Sequence, residues 1–297
     1  MSKLNMKQKQ SLAGWAFVTP WIIGLIFFFI QPVTNFLIYS FNTFKMGQGG
    51  YTLEPLDNPF KHYIDAWTSD VNYAPRFVGA FEHFLYAVPI IVVFSLFCAI
   101  LLNQDFKGRG LMRAIFFLPV ITTSGVFGLI TTRGMSMAGV ESANTTEAAM
   151  FDVTLLTDFL IESGIPASIV EALSGAVSNV AGLIWNSGVQ ILIFLIGLLS
   201  IPESYYEAAR VEGATGWETF WKITFPVVSP FILANFVYTF ITECMSTSNG
   251  VILYVSELAG GFRYSQASAM MWMYFLTMVV IVALIFGIGS KLMVSSR

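Results

Sequence analysis

The sequence predicts an all-α protein, an integral membrane bundle of six transmembrane helices. Three observations point there: an excess of apolar residues, their gathering into six long runs, and the uneven placement of Lys and Arg between those runs. Of 297 residues, 56% are hydrophobic and only 11% charged, and the mean hydropathy is +0.70. One globular core cannot bury that much apolar surface, so the surplus faces lipid. A formal charge of -3 gives no basic surface for a nucleic-acid partner. Cys98 and Cys244 both lie inside apolar runs, so no disulfide framework is expected.

A bilayer core about 30 Å thick needs roughly 20 mostly apolar residues of helix, because lipid offers backbone N–H and C=O groups no partner. The spans fall near 15–39, 80–102, 114–132, 180–199, 227–245 and 267–292, and the chain reads as a single transmembrane domain over 1–297. The first run follows Lys3, Lys7 and Lys9 as a secretory leader would. It is too long for one, and no small-residue cleavage site follows, so it is expected to stay attached. Lys107, Arg109 and Arg113 mark the next cytoplasmic turn, Arg210 and Lys222 the one after, and Lys291 and Arg297 the end. Basic residues resist translocation, which predicts that both termini are cytoplasmic. The outer loop 133–179 carries Glu141, Glu147, Asp152, Asp158, Glu162 and Glu171. Its short apolar patches, 157–161 and 165–173, are broken by acids, Gly164 and Pro166 and read as surface helices.

The long cytoplasmic loop 201–226 holds the most informative residues. Pro202 can open a helix, Glu203 to Arg210 runs from acid to base in keeping with the helix dipole, and Gly213 and Gly216 break it. Residues 217–222 can form a second short helix, expected to end at Pro226. The small residues Ala208, Ala209 and Gly213 would let another protein approach closely. Tyr205, Tyr206, Phe220 and Trp221 would supply apolar anchors.

Glu207-Ala208-Ala209, then Gly213-Ala214, Phe220, Ile223 and Pro226 resembles the E-A-A loop of permeases of ABC importers. Glu212 and Phe225 stand where that pattern usually has Asp and Leu. Residues 13–24 with Pro32, Ser40 and Phe41, and Leu101-Leu102-Asn103 with Phe106, Gly108-Arg109-Gly110, Arg113 and 116–119, resemble the carbohydrate-uptake branch of the same family. After Tyr238 the likeness thins: Thr242-Glu243-Cys244 and Gly260-Gly261-Phe262 replace the branch's Phe-Asp and Gly-Gly-Pro. The resemblance implies that the loop forms a coupling helix, with Glu207, Ala208, Ala209, Gly213, Ala214 and Phe220 meeting an ATPase subunit. It further implies a bacterial plasma-membrane complex with a second homologous permease, an ATPase dimer that binds ATP and Mg, and an extracytoplasmic solute-binding lipoprotein. A sugar or oligosaccharide is the implied solute, with a non-sugar solute as the alternative.

Candidates for the solute pathway are polar residues in or near spans four and five: Glu243, Asn186, Gln190, Tyr238 and Asn249. A charge in hydrocarbon costs about 2.5–3.5 kcal/mol on insertion scales, so Glu243 faces either a cavity or a partner helix. The others serve either solute or helix-to-helix hydrogen bonding. Catalysis and nucleotide binding are not expected in this chain: it has no Gly-Lys pair of a phosphate loop and no His-Glu-x-x-His. No cofactor or metal is expected here either. His62 and His83 lie apart in boundary positions. A secondary transporter would instead show inverted repeats and ion ligands at broken helices.

Overall fold

The computed structural model describes residues 6–47, 50–122, 160, 161, 163, 166–246 and 248–294. They form two compact units, Met1–Ala80 with Gly250–Val279, and Phe81–Asn249 with Val280–Arg297.

The first unit begins with α1 (Met6–Leu25), a π-helical turn (Ile26–Ile30) and α2 (Gln31–Ser40). Together Gly14–Ser40 is long and apolar enough to cross a membrane, and none of its most apolar window is buried within the chain. Proline explains the π turn. Pro32 has no N–H and its ring would strike the carbonyl four residues back, so the preceding turn widens and Gln31 N–H bonds to Ile26 C=O instead.

A β-hairpin follows, which departs from the all-α expectation. Strand β1 (Asn42–Gly47) pairs antiparallel with β2 (Gly50–Pro55), from Asn42 opposite Pro55 to Gly47 opposite Gly50. An isolated two-stranded ribbon is marginal, and aromatic packing holds this one. The Phe44 ring stacks on Tyr51 at 5.3 Å and meets Tyr264 edge-on at 4.8 Å. The Phe44 N–H donates to Ser265 Oγ at 2.7 Å.

Helix α3 (Lys61–Thr68) turns His62, Asp65, Ala66 and Ser69 to one side at helical spacing. Asp70 then acts as a cap: one oxygen accepts the N–H groups of Asn72 and Tyr73, and the other accepts the Tyr254 hydroxyl at 2.7 Å. Arg76 lies over the Tyr254 ring at 4.6 Å and 3.7 Å from Glu257. The buried Tyr73 hydroxyl donates to the Met270 carbonyl. These contacts tie the start of α4 (Tyr73–Asn103) to α11 (Gly250–Gly260) and to the start of α12 (Tyr264–Val294).

Burial pushes the pKa of His62 below the usual imidazole value, against smaller opposing influences from the Asn42 backbone and Asp65. As pH falls through about 6.5 the unfolded chain takes up the proton first, so stability is full above that pH and declines below it. The purified protein should therefore melt at a lower temperature at pH 5.5 than at pH 7.5. His62→Gln should remove part of that difference; an identical pH dependence in the variant would refute the assignment.

In the second unit α4 continues, followed by α5 (Arg109–Thr122), α6 (Ala167–Asn186) and α7 (Gly188–Leu199). Helix α8 (Glu203–Val211), α9 (Gly216–Thr219), a π turn (Phe220–Thr224) and α10 (Phe225–Cys244) complete it with the end of α12. Helix α7 packs along α10 and also meets α5. Ile191, Phe194, Leu195 and Leu198 of α7, and Val228 and Phe240 of α10, are buried.

Among the described residues four helices are long and apolar enough to span a membrane: Gly14–Ser40, Tyr73–Asn103, Gly216–Cys244 and Tyr264–Lys291. The pair α7 and α8, bent by 63°, passes the same test of length and composition only when the two helices are taken together, as a broken span or a re-entrant loop. The predicted fourth span, 180–199, is interrupted at Ser187, and its first residues belong to α6, which starts at Ala167 within the predicted outer loop. The predicted third span is described only as far as Thr122; the rest of it, and the outer loop up to 159, lie outside the described residues.

Candidate functional site

Pro202, extended at φ -59° and ψ 138°, opens α8, Glu203 sits in its first turn and Arg210 in its last. Each charge complements the helix dipole at its end. The helix stops in a paired hydrogen-bond motif in which Ala214 N–H bonds to Ala209 C=O at 2.9 Å and Gly213 N–H to Arg210 C=O at 3.1 Å. That closure needs a left-handed residue, and Gly213 supplies it at φ +74°.

One residue later a new helix begins with a capping box. Thr215 Oγ1 accepts the Glu218 N–H at 3.3 Å, and Glu218 accepts the Thr215 N–H at 2.9 Å. The second short helix does not end at Pro226 as expected. A π turn absorbs the proline: Phe225 N–H bonds to Phe220 C=O, and α10 continues to Cys244. Loop and span are therefore one continuous rod from Gly216. The Tyr206 hydroxyl lies 3.1 Å from Thr224 Oγ1 and fastens α8 to the π turn.

The expected small face is split. Glu207, Ala208 and Gly213 are exposed, whereas Ala209 is buried at 7% exposure and serves packing; Ala214 and Phe220 are half-buried. Between α8 and the rod lies a groove of about 440 Å³ walled by Tyr205, Ala208, Ala209, Glu212, Ile223 and Pro226. A second, of about 350 Å³, brings Asn103 and Gln104 beside Tyr206, Arg210 and Phe220. Trp217 is 71% exposed, and its ring contacts Trp221 at 5.6 Å. The arrangement is a short helical knob with an exposed face of small and acidic residues and an aromatic shoulder.

The polar span residues fall into two separate groups. Gln190 and Asn235 are fully buried between α7 and α10: Gln190 Nε2 donates to Thr239 Oγ1 at 3.2 Å, and Asn235 Nδ2 to the Gln190 carbonyl at 3.3 Å. Glu243, buried at the end of α10, meets His83 Nε2 on α4 at 3.2 Å, and His83 Nδ1 lies 2.9 Å from the Tyr86 hydroxyl. This partner was not anticipated, although His83 and Tyr86 stand one helical turn apart in an apolar run. Asn186 and Tyr238 are exposed, and their side chains hydrogen-bond to neither group; Asn249 is buried just before α11.

Several apolar helices long enough to span, with a bent helical knob leading straight into one of them, define a multi-span membrane protein. Residues 173–292 match the family described as the binding-protein-dependent transport system inner membrane component. The chain is 32% identical to the probable ABC transporter permease protein YesP of Bacillus subtilis, over 96% of this chain and 91% of that protein. It is 25% identical to the lactose transport system permease protein LacF of Rhizobium radiobacter, over 93% and 87% of the two chains. The arabinooligosaccharides transport system permease protein AraP of B. subtilis is 24% identical over 88% of this chain and 72% of its own length. This chain therefore belongs to the inner-membrane permeases of binding-protein-dependent ABC transporters. Its fold is also that of a chain in a bacterial ABC transporter involved in import of the acidic polysaccharide alginate, with a TM-score of 0.64 at 18% identity over 95% of this chain and 96% of the other.

Proposed function

We propose that this permease carries a sugar or oligosaccharide inward, as half of a pathway shared with a second, homologous permease in a bacterial plasma membrane. An extracytoplasmic solute-binding lipoprotein delivers the solute on one side. On the other a dimer of ATPase subunits, which hold the ATP and Mg that this chain does not, receives α8 as the coupling helix. The carrying observation is the knob itself, an outward face of Glu207, Ala208 and Gly213 fixed at both ends to membrane helices. The sugar reading rests on the names of relatives such as LacF and AraP.

Closure of the ATPases on nucleotide displaces the knob. Because one helix runs without a break from Gly216 to Cys244, that displacement passes to α10 and through the Gln190–Thr239 and Asn235–Gln190 bonds to α7. The pathway then opens outward, and hydrolysis returns it. Both termini are cytoplasmic in this arrangement. Reconstituted vesicles containing both permeases and the ATPase should take up lactose or arabinooligosaccharides only with binding protein and hydrolysable ATP. Uptake driven by an ion gradient without hydrolysis would reject the proposal.

A further inference from the structure

Between the first two spans the polar and apolar faces of the chain are reversed from what water favours. Phe60, Ile64 and Trp67 fall on one side of α3 at helical spacing, and all three are exposed. The opposite side, turned into the unit, carries His62 and Ala66, both buried, and the half-buried Asp65. A helix lying in water turns its large apolar residues inward and its polar ones outward. The β-hairpin is two-faced as well. Its register sets Phe44 and Met46 with Leu53 and Tyr51 on one face, and Thr43 and Lys45 with Glu54 and Thr52 on the other. Tyr264 packs against Phe44 near the base of the apolar face, but Met46 and Tyr51 at its far end are 66% and 57% exposed. On the polar face Lys45 and Glu54 pair at 2.6 Å.

Ring contacts fix the depth of both elements. Tyr51 meets Tyr39 at 6.2 Å and Phe60 meets Phe41 at 5.9 Å, each edge-on. Tyr39 stands in the last turn of the span Gly14–Ser40 and Phe41 just after it, and none of the most apolar window of that span is buried within the chain. Trp67 meets Tyr73 and Phe77, in the first turns of the span Tyr73–Asn103, at 5.6 and 5.2 Å. Exposed aromatic rings level with the ends of two spans occupy the depth at which Tyr and Trp collect, between acyl chains and headgroups.

We propose that the hairpin and α3 lie in the headgroup layer at this end of the spans, with Met46, Tyr51, Phe60, Ile64 and Trp67 set into the lipid. The partner is the membrane itself, because the exposed faces continue, ring against ring, from the uncovered surface of the first span. Apolar patches left open beside such a surface mark contact with lipid. Headgroup charge plays little part. Between residues 42 and 71, Lys45 and Lys61 are outnumbered by Glu54, Asp57, Asp65 and Asp70, an acidic balance that anionic headgroups do not attract. Apolar insertion therefore holds the segment, and zwitterionic lipid suffices. The seating fixes the depth of the first two spans where they meet the surface, whatever solute the permease carries.

The test places one nitroxide label at a time on the assembled transporter in lipid nanodiscs, by Met46→Cys, Ile64→Cys or Thr52→Cys, in a background with Cys98 and Cys244 replaced. Oxygen concentrates in lipid and a nickel chelate stays in water, so collisions with the two report depth. The ratio of oxygen to nickel collisions should be several-fold higher at Met46→Cys and Ile64→Cys than at Thr52→Cys on the polar face. It should be the same in phosphatidylcholine alone and with phosphatidylglycerol added. Nickel reaching all three labels equally overturns the seating, and so does a ratio that rises only with phosphatidylglycerol. Shielding of the first two labels from both reagents also overturns it and would place a second permease over these faces. Shielding that appears only with added solute-binding protein overturns it too, and would make them a docking surface for that protein. ATP-driven uptake is measured separately, so failure here leaves the transport reading standing.

Discussion

Ala208→Asp should cut solute-stimulated ATP hydrolysis and uptake by at least about tenfold while leaving the melting temperature within about 2 °C of wild type. Ala208 is exposed on α8 at the mouth of the groove, so under the proposed docking its methyl would meet the ATPase. A carboxylate there adds bulk and charge at a close contact and leaves the permease intact. Ala209→Asp, one residue on, should behave oppositely. Ala209 is buried at 7% exposure, and an unpaired charge in that position costs several kcal/mol. The expected outcome is loss of assembled protein from the membrane, not an assembled complex that hydrolyses ATP without transport. Size-exclusion profiles and hydrolysis rates of the two variants separate these effects, and equal behaviour would show that the helix face has been misassigned.

Gly197→Ala should destabilise the second unit by about 1–3 kcal/mol, from which the gain in helix propensity subtracts up to about 1 kcal/mol. A Cβ at Gly197 would stand 2.8 Å from Cδ2 and 2.9 Å from Cγ of Phe231. The ring base cannot swing aside as a flexible tip would, so α7 must part from α10. Gly289 makes a useful contrast, because its added methyl would meet mainly the terminal carbons of Leu233, which can move. Gly289→Ala should therefore cost less. Pairing Gly197→Ala with Phe231→Leu should restore most of the loss in thermal unfolding of the detergent-purified protein, since the two sites touch. Additive losses would show that the close approach is not what holds α7 to α10.

Lipid-facing helices and the loop motif were legible in the sequence because each depends on local composition. Long apolar runs announce themselves wherever water is excluded, and Pro202, Gly213 and the acid-to-base order of Glu203 to Arg210 fix α8 from within a few residues. What escaped was set by partners far along the chain. The hairpin 42–55 is held by Tyr264 and Ser265, more than two hundred residues away. The His83–Glu243 pair joins residues 160 apart. Pro226 reads as a stop in one dimension, and only the widened turn before it shows that the helix continues. The split between Ala208 and Ala209 follows from the path of α8 against the rod. A run of small residues does not encode that path.

The most direct test of the coupling assignment is the side of the membrane on which the knob lies. A single cysteine, Ala208→Cys, in a background with Cys98 and Cys244 replaced, should resist a membrane-impermeant maleimide in intact cells. It should react once the inner membrane is opened, and bound ATPase subunit should protect it. Labelling from outside in intact cells, or indifference to the ATPase, would contradict the account.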